Sequence, residues 1–192
     1  MSNVGRKLVG KMKIAIIGTH GTGKTTLAYL LAAKAQEKGF STKIVHEVAR
    51  TCPFPLNENF DTDGAHWIIS TQVKRELSCK AEKTQCIICD RSTIDPICYL
   101  KALNNPTFNY EGLQNFAEEW MKTYDYIIFV TPTGEELEFD GVRCMDNQFQ
   151  YDVHEQFLKL LNLSDKRILG FRSTRIFVQD IRDLEFIFED KK

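Results

Sequence analysis

The stretch GTHGTGKTT, Gly18 to Thr26, lies between an apolar run, KIAIIG, and a segment in which Leu27, Leu30, Leu31 and Ala35 recur at helical spacing. A G-x-x-x-x-G-K-T pattern carries weight only in that setting, where a buried strand enters a glycine-rich loop and the loop opens a helix. The setting narrows the possible folds to open α/β sheets in which a phosphate-binding turn joins the first strand to its crossover helix. Gly18, Gly21 and Gly23 admit backbone conformations and close approaches that a Cβ would block. The N–H groups of Thr19, His20, Gly21, Thr22 and Gly23 can therefore converge on phosphate oxygens. Lys24 then reaches the β- and γ-phosphates, the Thr25 hydroxyl ligates Mg²⁺, and Thr26 stands toward the α-phosphate. The helix N-terminus adds partial positive charge to an anion held there.

The rest of the chain alternates strand and helix patterns, the mark of a parallel sheet. TKIVHE reads as a second strand, TCPFPLNENFDTDG as irregular, and Ile69, Val73 and Leu77 as one face of a helix. QCIICD is a third strand and YDYIIFVTP a fourth, with two helices between them, one from near Pro96 and one from about Tyr110 to Lys122. Beyond Pro132, TGEELEFDGVRCMDNQ has no period and reads as a loop, giving a lid over about 132–150. Phe149, Val153, Phe157 and Leu161 then mark a helix, KRILGF a last strand, and Ile181, Leu184 and Phe188 a final helix. With 192 residues and no linker, the prediction is a single domain over 12–192, preceded by a flexible tail over 1–11. Cys86 and Cys89 have redox-pair or zinc-pair spacing. Residues three apart on a strand point to opposite faces, however, so both read as small buried hydrophobes.

Ligands of open α/β sheets gather beyond the carboxyl ends of strands. Three charged clusters fall there: HEVAR, DRST and DGVR. Asp90 is placed to hold Mg²⁺ through water, and Arg91 to neutralise a phosphate or fix an acceptor, unless the two form an ion pair on a loop. Glu47 stands beside the phosphate loop, either as the carboxylate that orients and deprotonates an acceptor hydroxyl or as a capping or surface glutamate. Arg50 follows as an acceptor contact or a solvated arginine. Asp95 precedes Pro96, which favours an N-cap with proline at the first helical position over a substrate contact. Arg143, the lone Arg or Lys from Thr131 to Leu158, either pairs with its acidic neighbours or serves as a lid cation that arrives as charge develops on a transferred group.

A net charge of -1 and a pI near 6.4 give no footprint for nucleic acid. No apolar run approaches the ~20 residues of a membrane span, and the first residues lack a secretory h-region, so the expected location is cytoplasmic. A guanine-nucleotide switch is disfavoured by the absence of N-K-x-D, and the D-x-x-G at Asp61–Gly64 does not follow an apolar strand. Phe54, Phe60 and Trp67 are natural core residues that could instead line an acceptor pocket.

Taken in order, GTHGTGKTT, HEVAR, DRSTID and DGVR resemble a compact P-loop kinase and ATPase family that includes the nicotinamide riboside kinase domain of bifunctional NAD-biosynthesis proteins. They are more distantly similar to deoxynucleoside and nucleotide monophosphate kinases. The resemblance spans about Lys13 to Arg175. It implies a three-layer α/β/α P-loop NTPase fold with five parallel strands and a closing lid, binding ATP with Mg²⁺. Lys24 and Thr25 would meet phosphate and metal, Asp90 and Arg91 metal and acceptor, Glu47 the acceptor, and Arg143 would be the lid arginine. GFRSTR resembles a segment flanking adenine, which would place Arg172 or Arg175 at the base. Where relatives often carry a further lid arginine, Gln150 stands here. The expected activity is transfer of the γ-phosphoryl group of ATP to a small nucleoside, nucleotide or vitamin-like alcohol. The alternative is a regulatory ATPase or nucleotide sensor.

Overall fold

A computed structural model describes residues 11–132, 147–172 and 178–189, without the side chains of 172 and 178–181. Five strands, β1 (Met12–Ile17), β2 (Thr42–Val45), β3 (Cys86–Asp90), β4 (Tyr126–Thr131) and β5 (Ile168–Arg172), form one sheet in the order β2-β3-β1-β4-β5. Every pairing is parallel, with Ile14 opposite Ile88 on one side and Tyr126 on the other. All five residues of β3 are buried, as a strand covered on both faces requires.

Side-chain alternation divides the core in two. Ile14, Ile16, Ile88, Ile128 and Val130 face Leu27 and Leu31 of helix α1 (Lys24–Glu37), with Leu184 and Phe188 from a 3₁₀ segment, Val178–Phe188, beside them. Ala15, Ile17, Ile87, Cys89, Ile127 and Phe129 face the opposite layer. That layer holds α2 (Thr62–Ala81), α3 (Ile94–Leu103), α4 (Glu111–Met121) and α5 (Asn147–Leu160). The result is the expected α/β/α sandwich. Cys86 packs on the α1 side and Cys89 on the other, both as free thiols, so the CIIC spacing builds no pair.

Local chemistry corrects three expectations. The buried stripe of α2 is Ala65, Ile68, Ile69, Gln72, Glu76 and Cys79, not the face of Val73 and Leu77, and Leu77 is exposed. Two polar residues occupy stripe positions, which a purely apolar period cannot register. Asp61 caps that helix, accepting the Gly64 N–H at 2.9 Å, so its D-x-x-G is a capping motif. Asp95 is not an N-cap: α3 begins at Ile94, with Thr93 in the cap position. The Asp95 carboxylate instead accepts the Ser92 N–H and hydroxyl, both at 2.9 Å, which organises the turn before the helix. Pro96 is tolerated in the first turn because the N–H it lacks has no intrahelical acceptor. Residues 147–150, assigned to the lid, form the first turn of α5, and 133–146 lie outside the described residues, as do 1–10 of the expected tail.

Candidate functional site

The phosphate loop follows β1 and runs into α1. Gly18 has φ +134°, and a Cβ there would collide with the Val130 carbonyl oxygen of β4. Glycine is therefore required for the loop to leave the sheet. Gly23, at φ +76°, gives α1 its left-handed entry. Thr19, His20, Thr22 and Lys24 are buried, whereas Gly21 and Thr26 are exposed. The Lys24 ammonium donates to the Thr19 carbonyl and, at 3.1 Å, to the Thr22 hydroxyl. Burial, then the charge of Arg91, lowers the Lys24 pKa to about 7 against the pull of Asp95, Glu47 and Asp90.

Asp90 ends β3 beside the loop, and the Thr25 hydroxyl donates to its carboxylate at 2.7 Å. These two hard oxygens fit Mg²⁺, which keeps most of its shell as water and takes few protein ligands.

Arg91 does not pair with its neighbour Asp90. Its backbone takes φ +84° and its N–H donates to the Ile16 carbonyl at 2.9 Å, which turns the side chain across the site. Nε donates to Glu47 at 2.5 Å, and one terminal nitrogen to Asp95 and to the Gly18 carbonyl, each at 3.3 Å. The guanidinium carbon lies 5.5 Å from the ring centre of Tyr99. Glu47 also accepts from Arg50 at 2.8 Å. Burial pushes the Glu47 carboxyl up, but Arg91, Lys24 and Arg50 together hold it at about 2. Burial raises the Asp95 carboxyl despite Arg91 and Lys24.

Between these groups and α2 opens a cleft of about 650 Å³, open solvent at its mouth included. Its lining includes the polar side chains of Glu47, Arg91, Asp95, His20 and Gln72 and the aromatic ones of Phe60 and Tyr99. Phe60 therefore faces the cleft as well as the core, whereas Phe54 is exposed and Trp67 packs beside the small cluster of Val48, Phe60 and Ile68.

The structure thus gathers Thr19 to Thr26, Glu47, Asp90 and Arg91 around one locus, with Arg50 at its rim. Arg143 and Arg175 lie outside the described residues. Arg172 closes edge strand β5, opposite Thr131. Sequence reasoning missed Gln72 and Tyr99, and it treated Gln150 only as a departure. Gln150 is buried and ties α5 to the phosphate loop: its amide donates to the His20 carbonyl at 2.7 Å, and its own carbonyl accepts the Thr19 hydroxyl at 3.0 Å. The available signal for Gln72 was a polar i, i+4 pair, Gln72 and Glu76, interrupting an apolar stripe.

Loop, metal-competent oxygens and sheet order define a P-loop nucleotide-binding domain with a kinase-like fold. The chain belongs to the AAA domain family, whose model matches residues 13–172. Among solved structures, it is similar to a NadR protein in complex with NR, at TM-score 0.70 and 20% identity, over 94% of this chain and 51% of that one. It therefore spans about half the length of that NadR chain. It is also similar to deoxyadenosine kinase from M. mycoides with bound dATP, at TM-score 0.60 and 18% identity, over 93% and 99% of the two chains. No curated protein sequence matches. Among the described residues, no helix is long and apolar enough to cross a membrane.

Proposed function

We propose that this chain is an ATP-dependent kinase that transfers a phosphoryl group to the hydroxyl of a nucleoside, nucleotide or vitamin-like alcohol. The observation that carries the reading is the cleft beside the phosphate loop, whose polar wall is one arginine between two carboxylates. A switch or simple ATPase needs no such second pocket, whereas a hydroxyl acceptor needs carboxylates to receive its proton-bearing oxygens.

Mg·ATP supplies the electrophilic γ-phosphoryl group, with Thr25 and Asp90 as the residues that would hold the metal. The loop N–H groups and Lys24 bind the polyphosphate and stabilise its charge. Glu47 orients the acceptor hydroxyl. A carboxyl held at about 2 is a weak base, and a loose phosphoryl-transfer transition state asks more for positioning than for early deprotonation. Arg91 holds both carboxylates in place and offers a cation to the transferred group. Arg143 as lid cation, and Arg172 or Arg175 against adenine, extend the same proposal. A second reading, a regulatory ATPase or sensor, draws support from Gln150, which occupies the place of a further lid arginine and is committed to the loop backbone.

The test is ADP release from Mg·ATP against nucleosides, nucleoside monophosphates and phosphorylatable vitamins, with Lys24→Ala as control. An acceptor-dependent rise that is lost in Lys24→Ala supports the kinase. Release indifferent to every acceptor, yet lost in Lys24→Ala, supports the ATPase.

A further inference from the structure

We propose that Glu76 is a positioning residue that fixes which end of the Gln72 carboxamide faces the cleft, and so selects ligands presenting an N–H or O–H donor at that point. The proposal rests on the cleft being the acceptor site and specifies the chemistry it accepts.

Glu76 lies one helical turn beyond Gln72 on α2, and each is almost fully buried. Its two carboxylate oxygens receive four donors. Oε1 accepts Gln72 Nε2 at 2.9 Å and the Tyr124 hydroxyl at 2.6 Å. Oε2 accepts Lys13 Nζ at 2.7 Å and the Trp120 indole N–H at 2.8 Å. Lys13 in turn lies over the rings of Trp120 and Tyr124, at 4.8 and 4.3 Å, so the carboxylate is anchored to the sheet and to the end of α4. The Gln72 nitrogen has one further neighbour, the Arg91 carbonyl at 3.3 Å.

Both groups around that end of the amide, a carboxylate and a backbone carbonyl, are acceptors. Turning the amide over would set its oxygen against two oxygens. The orientation therefore follows from the chemistry of the neighbours rather than from the assignment of N and O. The NH₂ end is committed inward, and Oε1 is the end of Gln72 left to the cleft that the residue lines. Phe60 and Ile68, which line the cleft with it, are apolar and offer no competing hydrogen bond. A ligand N–H or O–H satisfies this oxygen. A ligand carbonyl or carboxylate leaves two acceptors facing each other out of water, a mismatch that amounts to about tenfold to hundredfold in affinity. The class is therefore a ligand that presents an N–H or O–H donor at this point, in a cleft whose lining also includes the aromatic side chains of Phe60 and Tyr99.

The probes are ribonucleoside pairs in which an amine is replaced by oxygen: cytidine and uridine, adenosine and inosine, nicotinamide riboside and nicotinic acid riboside. Wild type, Glu76→Gln and Gln72→Leu are compared by kcat/KM and by calorimetric binding, with Mg·ATP affinity as the fold control. Wild type should prefer the amine-bearing members by about tenfold to hundredfold. Glu76→Gln, whose own amide lets Gln72 turn over, should shrink the ratio to within about threefold, and Gln72→Leu should abolish it. A merely structural role would weaken both members of a pair alike and leave the ratio untouched. A ligand-free readout runs alongside: in ¹⁵N-edited spectra the Gln72 side-chain protons should exchange slowly in wild type and rapidly in Glu76→Gln. Fast exchange in wild type, or an undiminished ratio in Glu76→Gln, overturns the proposal. If no ribonucleoside binds while Mg·ATP does, the acceptor reading has failed, and the exchange rates alone decide the role of Glu76.

Discussion

Replacing Lys24 by methionine should stabilise the empty protein while removing its ability to hold nucleotide. In the unfolded chain the ammonium keeps its proton up to pH 10.5, whereas burial in the folded loop releases it around pH 7. Between those values the unfolded state binds more protons, so the stability of the wild type rises with pH. Below pH 7 the cost of charging the buried amine is present in full, and it is gone above pH 10.5. At 1.36 kcal/mol per pH unit, that cost is about 4 kcal/mol at pH 7 and falls to about 1 kcal/mol at pH 9.5. Methionine carries no charge but also gives no hydrogen bond to the Thr19 carbonyl or the Thr22 hydroxyl, an offset of about 1–2 kcal/mol. The offset does not depend on pH. Urea unfolding of the two proteins at both pH values should therefore show their stability difference shifting by about 3 kcal/mol, with the variant favoured most at pH 7. Saturating Mg·ATP should erase the pH dependence in the wild type, because a polyphosphate keeps the ammonium charged. A pH-independent difference, or a variant less stable at pH 7 than at pH 9.5 relative to wild type, would refute the reasoning.

Glu47 titrates far below neutrality, at about 2, so its stabilising pairing is complete above pH 4.5 and is lost as pH falls through 2. The pH–rate profile of acceptor phosphorylation should show no limb assignable to Glu47 between pH 5 and 9, and a limb that disappears in Glu47→Gln contradicts this. Gln150→Ala leaves the His20 carbonyl without its amide donor and loosens the phosphate loop. Fluorescent-nucleotide titration should show affinity falling about tenfold, and an unchanged affinity removes Gln150 from the site. Gly18→Ala combines a positive φ with a collision at the Val130 carbonyl, and should destabilise by about 3 kcal/mol or more. Its melting temperature should drop by roughly 10 °C, and a variant melting like wild type would show that the turn can relax.

The sheet was legible because its strands are short apolar runs that end in chemistry-bearing residues. Gly18 and Glu47 follow β1 and β2 closely and Asp90 closes β3, although β2 stops at Val45, two residues short of the TKIVHE run, and the loop motif then locates the site. What stayed hidden is polar and buried. Gln72 and Glu76 sit at stripe positions that an apolar count skips, and their meaning depends on Lys13, Trp120 and Tyr124, which reach them from other elements. The pairing of Arg91 with Glu47 joins residues 44 apart, and adjacency in sequence pointed instead to Asp90. Asp95 followed the local Asp-Pro signal for a helix cap, but the turn before α3 claimed its carboxylate first. Gln150 could be noticed only as a departure, since nothing local says that an α5 side chain reaches across to the phosphate loop.

Arg91 holds a backbone conformation that side chains rarely adopt, at φ +84°. For a protein engineer this position sets two effects of one exchange against each other. Glycine or asparagine there would relieve about 1 kcal/mol or more of backbone strain. The same exchange would strip Asp95 of its cation and leave Glu47 with Arg50 alone, a loss of about 3 kcal/mol or more for buried carboxylates. The strained backbone at position 91 is thus held by the charge it carries, and relaxing it is a poor route to a more stable chain.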